Sequence, residues 1–315
     1  MPTLPTPRRI LIAAGAHAEL ADLLRARRPD LELRGKPYAD VTADDLAWAD
    51  TYLGFMRPRL PTMGNVRWVH CTGAGVDSWL NPPELSRDIL LTRTSESFGV
   101  YIAEWALARA FAVRQQIVEL AEAQRRHEWS PRKIGYVRGS TAVVVGTGDV
   151  GSHVARLFSA VGATVHGVSR SGRGDASVFA TTSTVSELPR LAGSADWLIL
   201  TLPLTSETRG LIGRDVLGAC RGAVLMNAGR GAVVDEATIP EALDNGWLLG
   251  AILDVFETEP LPKDSPLWDD RRVVISPHIS GLTTAEGAVE GFLECLDEIE
   301  RGQVPARVVD RDREY

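Results

Sequence analysis

The chain has few cysteines and no long hydrophobic run, and each shortage excludes a class of protein. Cys71, Cys220 and Cys295 are an odd number and lie far apart, so they predict neither a disulfide framework nor a metal site. We expect buried, reduced thiols, which fits a cytoplasmic location. No apolar run approaches the roughly 18 residues that a membrane-spanning helix needs, and the segment before Ile10 lacks the hydrophobic region of a secretory signal.

The chain also lacks an excess of basic residues. Its 34 Lys and Arg residues against 41 Asp and Glu residues give a net charge of −7. This balance argues against a general affinity for nucleic acid or for an anionic membrane, although a few local cations could still bind a small anion. The length of 315 residues predicts about two domains, because single cores rarely grow beyond roughly 250–300 residues.

Short apolar runs alternate with helix-length amphipathic segments, which is typical of an α/β protein with a mostly parallel sheet. In the first hundred residues Thr42, followed three positions later by Asp45, predicts the capped start of a helix. No phosphate-binding motif occurs there. The strands predicted in this part are 9–14, 31–34, 51–55, 67–70 and 89–92, and the helices are 17–27 and 42–49.

A second alternating series begins at Ser140 and has the order of a doubly wound dinucleotide-binding domain. The segment 97–126 before it is apolar on nearly every face up to Arg114, so we expect a buried helix that crosses between domains and packs against both or against a partner subunit. A helix over 284–301 would return the chain to the first domain. The strands predicted in this part are 141–145, 164–168, 197–202, 223–227, 249–254 and 273–275, with a helix over 151–161.

A glycine motif directly follows the apolar strand 142–145. Gly146 would permit a tight turn, Gly148 a close approach of the backbone to a pyrophosphate, and Gly151 tight packing of helix on strand. The amides at the start of the helix, including those of Asp149 and Val150, would face the phosphates. A tight turn without a ligand is the alternative.

The end of the second strand indicates which dinucleotide binds. Ser169 stands 18 residues after Gly151, where an NAD-binding domain carries a carboxylate for the ribose 2′-hydroxyl. No acid follows until Asp175. A hydroxyl and guanidinium groups suit a 2′-phosphate, so NADP(H) is favoured, NAD(H) stays possible, and a solvated basic loop is the alternative. The predicted phosphate-binding residues are Ser169, Arg170, Ser171 and Arg173.

Three chemically suited residues follow at wide spacing. Arg230 can grip a carboxylate and polarise a carbonyl, because its planar guanidinium never loses its charge. Glu259 follows 29 residues later, and His278 follows 19 residues after that. A histidine can deliver a proton near neutral pH, and an adjacent carboxylate would orient its ring and favour the protonated form. Together they provide what reduction of a 2-keto acid needs.

The segments around these residues resemble the D-isomer-specific 2-hydroxyacid dehydrogenase family. They read Asn227-x-x-Arg230-Gly231, Asp254-Val255-Phe256-Glu257-x-Glu259-Pro260 and Pro277-His278-Ile279-x-Gly281. The resemblance implies that Arg230, Glu259 and His278 are the catalytic residues, with Glu257 as the rival carboxylate. It also implies a homodimer and two doubly wound parallel-sheet domains. These would be a flavodoxin-like substrate-binding domain, 1–100 with 284–315, and a Rossmann dinucleotide-binding domain, 101–283.

The resemblance implies further binding residues. In the first domain, the loop Thr72–Asp77 would receive the substrate carboxylate on the backbone amides of Ala74 and Gly75, together with Arg230 and His278; a plain turn is the alternative. Core packing is favoured over a pocket role for Trp48, Phe55, Met56 and Trp129. The additional cofactor contacts would be Leu202, Pro203, Thr208, Ala228, Gly229, Arg230, Asp254, His278 and Gly281.

The sequence therefore predicts an NADPH-dependent reductase of small 2-keto acids, and the Ser169-Arg170-Ser171 segment resembles the glyoxylate/hydroxypyruvate reductase branch. One alternative is a dehydrogenase for D-lactate, phosphoglycerate or an amino-acid-derived keto acid. Phosphoglycerate is disfavoured because a chain ending at residue 315 leaves no room for a regulatory domain. Formate dehydrogenases resemble the family but carry Gln in place of Glu259. A non-enzymatic, dinucleotide-sensing corepressor is the last alternative.

Overall fold

The computed structural model describes residues 4–81, 85–94, 98–281 and 283–314. The chain divides into a first unit, Met1–Glu96 with Thr283–Tyr315, and a second unit, Ser97–Leu282. Each unit is built on a parallel sheet with helices, so the predicted fold class is confirmed.

The strands and helices follow one another along the whole chain. Within the described residues the strands are β1 Arg9–Ala13, β2 Glu32–Lys36, β3 Thr51–Leu53, β4 Trp68–Cys71, β5 Leu90–Arg93, β6 Thr141–Val145, β7 Thr164–Val168, β8 Thr181–Ser183, β9 Trp197–Leu200, β10 Ala223–Asn227, β11 Leu248–Leu253 and β12 Val273–Ile275. The α-helices are α1 His17–Arg27, α2 Ala43–Trp48, α3 Asp77–Leu80, α4 Phe98–Arg114, α5 Ile117–Arg125, α6 Asp149–Ala160, α7 Leu188–Ala192, α8 Arg214–Leu217, α9 Thr238–Asp244 and α10 Ala285–Glu300.

The first unit contains a five-stranded sheet in the order β2-β1-β3-β4-β5. Strands β1, β3, β4 and β5 are largely buried, as expected where helices cover both faces of a parallel sheet, whereas the edge strand β2 is polar and mostly exposed. Along β1, Ile10 and Ile12 join the cluster that contains α1 and α10, whereas Leu11 joins the cluster on the opposite face. The predicted cap of α2 is present, since the Thr42 side chain accepts from the Asp45 amide and the Asp45 carboxylate from the Thr42 amide.

The second unit contains a seven-stranded sheet in the order β12-β11-β10-β9-β6-β7-β8. The chain runs outward from β6 to β8 and then returns to β9 on the other side of β6. The carboxyl ends of β6 and β9 therefore flank the topological switch point, where ligands bind in open α/β sheets. Sequence reasoning missed the edge strand β8, because Thr181–Ser183 is short and polar.

The segment predicted as one buried helix over 97–126 differs from that prediction. It forms two helices, because Gln116 adopts a left-handed conformation with φ of 51° between α4 and α5; Ser97 lies outside the described residues. One face of α4 packs against α6, and burial of the remaining apolar face against a partner subunit stays a prediction. Apolar side chains exposed on the two helices are Val100, Tyr101, Phe111, Val113, Ile117, Val118 and Leu120.

The structure tests three expectations drawn from composition. Cys71, Cys220 and Cys295 are buried free thiols, and burial raises the pKa of Cys220 to about 11 and that of Cys295 to about 12. The prediction for the cysteines is confirmed. Among the described residues, no His, Cys, Asp and Glu side chains cluster as a metal ion would require. None of the helices in this part of the chain has the length and apolar character to span a membrane.

Candidate active site

The glycine motif forms a tight connection between β6 and α6. Gly146 has a φ of 109°, which favours glycine, and its amide donates to the Val168 oxygen at 2.8 Å. A Cβ at residue 151 would overlap the Gly146 carbonyl oxygen, so the helix can approach the strand only with glycine there. Gly148 and Asp149 are exposed at the helix start, where the free amides and helix dipole favour phosphate groups. The backbone geometry fits a dinucleotide.

The loop after β7 is held by its own first residue. The Ser169 hydroxyl donates to the Arg173 oxygen at 2.9 Å and accepts from the Arg173 amide at 3.1 Å. The Thr147 hydroxyl also donates to the Arg173 oxygen, at 2.6 Å, which ties this loop to the glycine motif. Arg170, Ser171 and Arg173 are exposed. The loop therefore presents cations beside the glycine motif.

A third loop, 202–208 after β9, is linked to the loop after β7. The Thr208 hydroxyl donates to the Pro203 oxygen at 2.8 Å and accepts from the Thr205 amide at 2.8 Å, which fixes the turn. Glu207 on this loop pairs with Arg170 at 3.5 Å. Sequence reasoning missed this ion pair because the two residues lie 37 positions apart.

Arg230 lies just beyond the carboxyl end of β10. The Asn227 side chain holds this turn, because its Nδ2 donates to the Arg230 oxygen at 3.0 Å and its Oδ1 accepts from the Gly229 amide at 3.1 Å. Arg230 is half-buried, and its Nη1 donates to the Gly229 oxygen at 2.8 Å. A Cβ at Gly231 would overlap the backbone of Phe256, so glycine lets this turn lie directly against the segment that carries Glu259.

Glu259 and His278 form the pair that the sequence predicted. His278 Nδ1 donates to Glu259 Oε2 at 2.8 Å, while the Phe256 amide donates to Glu259 Oε1 at 2.9 Å. Burial would raise the pKa of Glu259, but these hydrogen bonds and the positive charge of Arg230 hold it below its usual range. The carboxylate thus stays ionised and fixes the ring, so Nε2 is the nitrogen that remains to hold or release a proton. The backbone amide of the rival residue Glu257 donates to the Glu236 carboxylate at 3.1 Å.

Asp254 holds the backbone around His278 by hydrogen bonds. This aspartate is fully buried at the end of β11, and its carboxylate accepts from the Ser276 hydroxyl at 2.5 Å and from the amides of Ile279 and Ser280 at 3.0 and 2.8 Å. His278 itself has a φ of 54°, which is uncommon for a residue other than glycine. The direct cofactor contact predicted for Asp254 stays a prediction, while its hydrogen bonds support the loop.

Two of the remaining predicted cofactor residues, Ala228 and Gly229, lie at the carboxyl end of β10 beside the end of β9. The Ala228 amide donates to the Leu200 oxygen at 3.2 Å, and Gly229 lies so close to Leu202 that a Cβ would meet its carbonyl oxygen at 2.6 Å. Gly281 lies instead against Ile102 of α4. Their contacts with a cofactor, and that of Val150, stay predictions.

In the first unit, Ala74 and Gly75 lie in the loop after β4, and both are half-exposed. Arg93 Nη1 donates to the Ala74 oxygen at 2.8 Å, and the Cys71 thiol donates to the Gly75 oxygen at 3.3 Å. The carbonyls therefore have partners within the unit. Their amides stay the predicted donors to a substrate carboxylate.

Of the four residues for which core packing was favoured over a pocket role, Trp48 packs against the core of the first unit. Phe55 and Met56 are about two-fifths exposed, and Trp129 is 97% exposed, so the expectation of burial was wrong for these three. Trp48 is half-buried and lies under the Arg34 guanidinium, 4.0 Å from its ring centroid. The hydrophobicity of Phe55, Met56 and Trp129 does not predict their exposure, because the sequence does not show which side of a loop faces solvent.

Charged residues thus follow the carboxyl ends of three adjacent strands, β10, β11 and β12, and a glycine motif follows β6 in the same sheet. An arginine, a histidine paired with a carboxylate and a dinucleotide cradle define a nucleotide-dependent dehydrogenase of the α/β class.

Comparison with known proteins narrows this class. The family described as D-isomer specific 2-hydroxyacid dehydrogenase, NAD binding domain, matches residues 107–280. The chain belongs to this family, and it is therefore an enzyme of the NAD(P)-dependent 2-hydroxyacid dehydrogenase class, as predicted. It is 32% identical over 296 residues to glyoxylate/hydroxypyruvate reductase A of Serratia proteamaculans, with 91% of this chain and 93% of that protein covered.

Solved structures give the same result. An NADPH-dependent glyoxylate/hydroxypyruvate reductase from Sinorhizobium meliloti, in complex with NADP and sulfate, aligns with a TM-score of 0.86 and 28% identity. A D-isomer specific 2-hydroxyacid dehydrogenase from Xanthobacter autotrophicus, in complex with NADPH and MES, aligns with a TM-score of 0.85 and 28% identity. In both cases the alignment covers 98% of this chain and 100% of the other.

Proposed function

We propose that the protein is an NADPH-dependent reductase of small 2-keto acids, with glyoxylate and hydroxypyruvate as the first candidates. The observation that carries the proposal is the Glu259–His278 hydrogen bond of 2.8 Å, beside Arg230 and in the same unit as the glycine motif. The named relatives that reduce glyoxylate and hydroxypyruvate support the choice of substrates.

Each of the charged side chains has its own proposed role in the reaction. The guanidinium of Arg230 binds the keto acid and polarises its carbonyl, because it presents several donors in one plane. His278 delivers the proton from Nε2 to the carbonyl oxygen, and Glu259 stabilises the imidazolium that this requires. The bound dinucleotide supplies the hydride to C2. The amides of Ala74 and Gly75 bind the substrate carboxylate.

We assign the cofactor to the second unit. The start of α6 holds the pyrophosphate, and Ser169, Arg170, Ser171 and Arg173 hold the 2′-phosphate. A carboxylate would repel that phosphate, and the loop carries exposed guanidinium groups instead. The relatives crystallised with NADPH or NADP support this assignment.

The direct experiment measures oxidation of NADPH against a panel of 2-keto acids that includes glyoxylate, hydroxypyruvate, pyruvate and phosphohydroxypyruvate. We expect the highest kcat/KM with glyoxylate or hydroxypyruvate. A preference for pyruvate would favour a D-lactate dehydrogenase. Absence of turnover with every member, in protein that binds NADPH, would favour the dinucleotide sensor.

Cofactor preference is tested by two substitutions on one loop. The ratio of kcat/KM for NADPH over NADH should exceed one in the wild type, and Arg170→Ala should lower it roughly 3–30-fold, because exposed charge pairs are partly screened. Ser169→Asp should lower it further through repulsion of the 2′-phosphate. A wild-type preference for NADH would reject the NADPH assignment.

We also propose a homodimer whose interface includes the exposed apolar face of α4 and α5. Exposed apolar side chains on neighbouring elements mark interaction surfaces, and a second copy is the commonest partner of such a face. Light scattering should give a molar mass twice the 34.2 kDa of the chain. The substitution Val118→Lys should lower the measured mass towards that of the monomer. A monomeric wild-type protein would refute the proposed homodimer. A cytoplasmic location stays a prediction.

A further inference from the structure

A buried chain of hydrogen bonds runs from helix α4 to the loop that carries His278. Trp105 Nε1 donates to the Ser276 hydroxyl at 3.1 Å, and that hydroxyl donates to Asp254 at 2.5 Å. Trp105, Ser276 and Asp254 are all buried. Because Ser276 is both acceptor and donor, it connects the helix to the carboxylate.

Asp254 in turn restrains the backbone around His278 by hydrogen bonds. Its carboxylate binds the amides of Ile279 and Ser280, and its backbone oxygen accepts the His278 amide at 2.8 Å. The residues before and after His278 are therefore fixed to one buried group. A left-handed φ at a residue other than glycine persists only where the surroundings impose it.

The neighbourhood of Asp254 also includes a cation. The Arg109 guanidinium lies 4.3 Å from the ring centroid of Trp105. Burial lowers the pKa of Arg109, and the negative charge of Asp254 acts in the opposite direction. A fully buried carboxylate needs such compensation together with several donors, so α4 supplies both a charge and a hydrogen bond to this site.

We propose that Ser276 and Trp105 are positioning residues for catalysis: through Asp254 they hold His278 in the conformation that directs its ring to Glu259. The proposal rests on the proposed role of His278 as proton donor. It assigns a function to the apolar helix α4 beyond packing. Sequence reasoning missed it because Trp105 and Ser276 lie 171 positions apart.

The second unit contains a chemically matched control. Trp197 Nε1 donates to the Ser140 hydroxyl at 2.9 Å, and that hydroxyl donates to the Val137 oxygen at 2.6 Å. Both side chains are buried. This pair lies where β6 begins, whereas the glycine motif follows the end of that strand. Ser140→Ala therefore removes the same kind of bond without touching the loop of His278.

The test compares steady-state kinetics of Ser276→Ala, Ser276→Thr and Ser140→Ala with NADPH and the best keto acid. Ser276→Ala should lower kcat roughly 10–100-fold, because a displacement of about 1 Å can have an effect of that size. KM for the keto acid and Kd for NADPH should stay within about threefold. Ser276→Thr restores the hydroxyl and should recover most of kcat, and Ser140→Ala should leave kcat within about threefold.

Three results would overturn the proposal: an unchanged kcat in folded Ser276→Ala protein, equal losses in Ser276→Ala and Ser140→Ala, or no recovery by Ser276→Thr. If Ser276→Ala does not fold, Trp105→Phe removes only the N–H donor and should lower kcat roughly 3–10-fold, and an unchanged kcat would count against the proposal. His278→Ala separates the two hypotheses. An active His278→Ala enzyme refutes the proposed proton donor, whereas an inactive one with unaffected Ser276→Ala refutes only the positioning role.

Discussion

Each of the two units contains a histidine fixed by hydrogen bonds, but the two histidines have different partners. In the first unit, His70 is fully buried on β4, and its nitrogens bond the hydroxyls of Thr92 and Thr94 at 2.8 and 3.0 Å. In the second unit, His278 lies beyond β12, is 40% exposed and bonds the carboxylate of Glu259. Neutral partners in the core hold a neutral ring, whereas an ionised partner at the sheet edge suits a ring that changes charge.

The largest expected effect of any substitution is on the second histidine. His278→Ala should lower kcat roughly 10²–10⁴-fold, the usual contribution of a positioned proton donor, with little change in Kd for the dinucleotide. His70→Gln, measured in parallel, should lower kcat far less. Equal losses in the two variants would remove the distinction between the two histidines.

Arg230 should show the next largest effect. Arg230→Ala should lower kcat/KM for the keto acid roughly 10²-fold and raise KM, because the guanidinium binds ground state and transition state alike. Arg230→Lys keeps the charge but loses the planar fork, so it should recover only part of the loss. Intact kcat and KM in Arg230→Ala would refute the proposed role of Arg230 in binding and polarising the keto acid.

Glu259→Gln tests the ionised partner directly. The amide can still accept a hydrogen bond from Nδ1 but lacks the charge that stabilises the imidazolium. Reduction, which needs a protonated His278, should fall as pH rises, and the substitution should move that fall to lower pH. Oxidation of the hydroxy acid should show the opposite pH trend. A profile that overlays the wild type would point to Glu257 or to no carboxylate.

The last expected effect concerns His70 and appears in the free energy of unfolding rather than in the kinetics. Burial, together with the charge of Arg307, lowers the pKa of His70 to about 3. Below pH 6.5 the unfolded chain therefore binds a proton that the folded chain does not, so stability falls as pH falls from about 6.5 towards 3, by about 1.4 kcal/mol per unit from this group.

Thermal melts between pH 7.5 and 4.5 measure that contribution. Tm of the wild type should fall more steeply over this range than Tm of His70→Gln, whose side chain does not titrate. Parallel curves for wild type and His70→Gln would contradict the assigned pKa.

The sequence predicted those elements and site residues whose signals are local. The β-branched run Thr141–Val145 and the Thr42–Asp45 cap are determined by adjacent residues, and both have the predicted structure. The residues proposed as catalytic were predicted because their flanking residues resemble a family, not because sequence shows their proximity.

What the sequence did not predict depends on contacts between distant residues. The left-handed break at Gln116 has no glycine or proline to announce it. The close approach of Gly231 to Phe256 and the bond from Trp105 to Ser276 join segments that only the folded sheet brings together. Conversely, the exposure of Trp129 shows that a large aromatic side chain does not by itself predict burial.

The left-handed backbone at His278 implies a trade-off between stability and activity. For a residue with a Cβ this conformation costs about 1 kcal/mol relative to glycine, and the fold bears that cost at the very position where the proton donor is proposed to act. An engineer who ranked substitutions by folding energy alone would be drawn to glycine at position 278, and would select an inactive enzyme. Stabilisation of this protein is better sought where the backbone is relaxed.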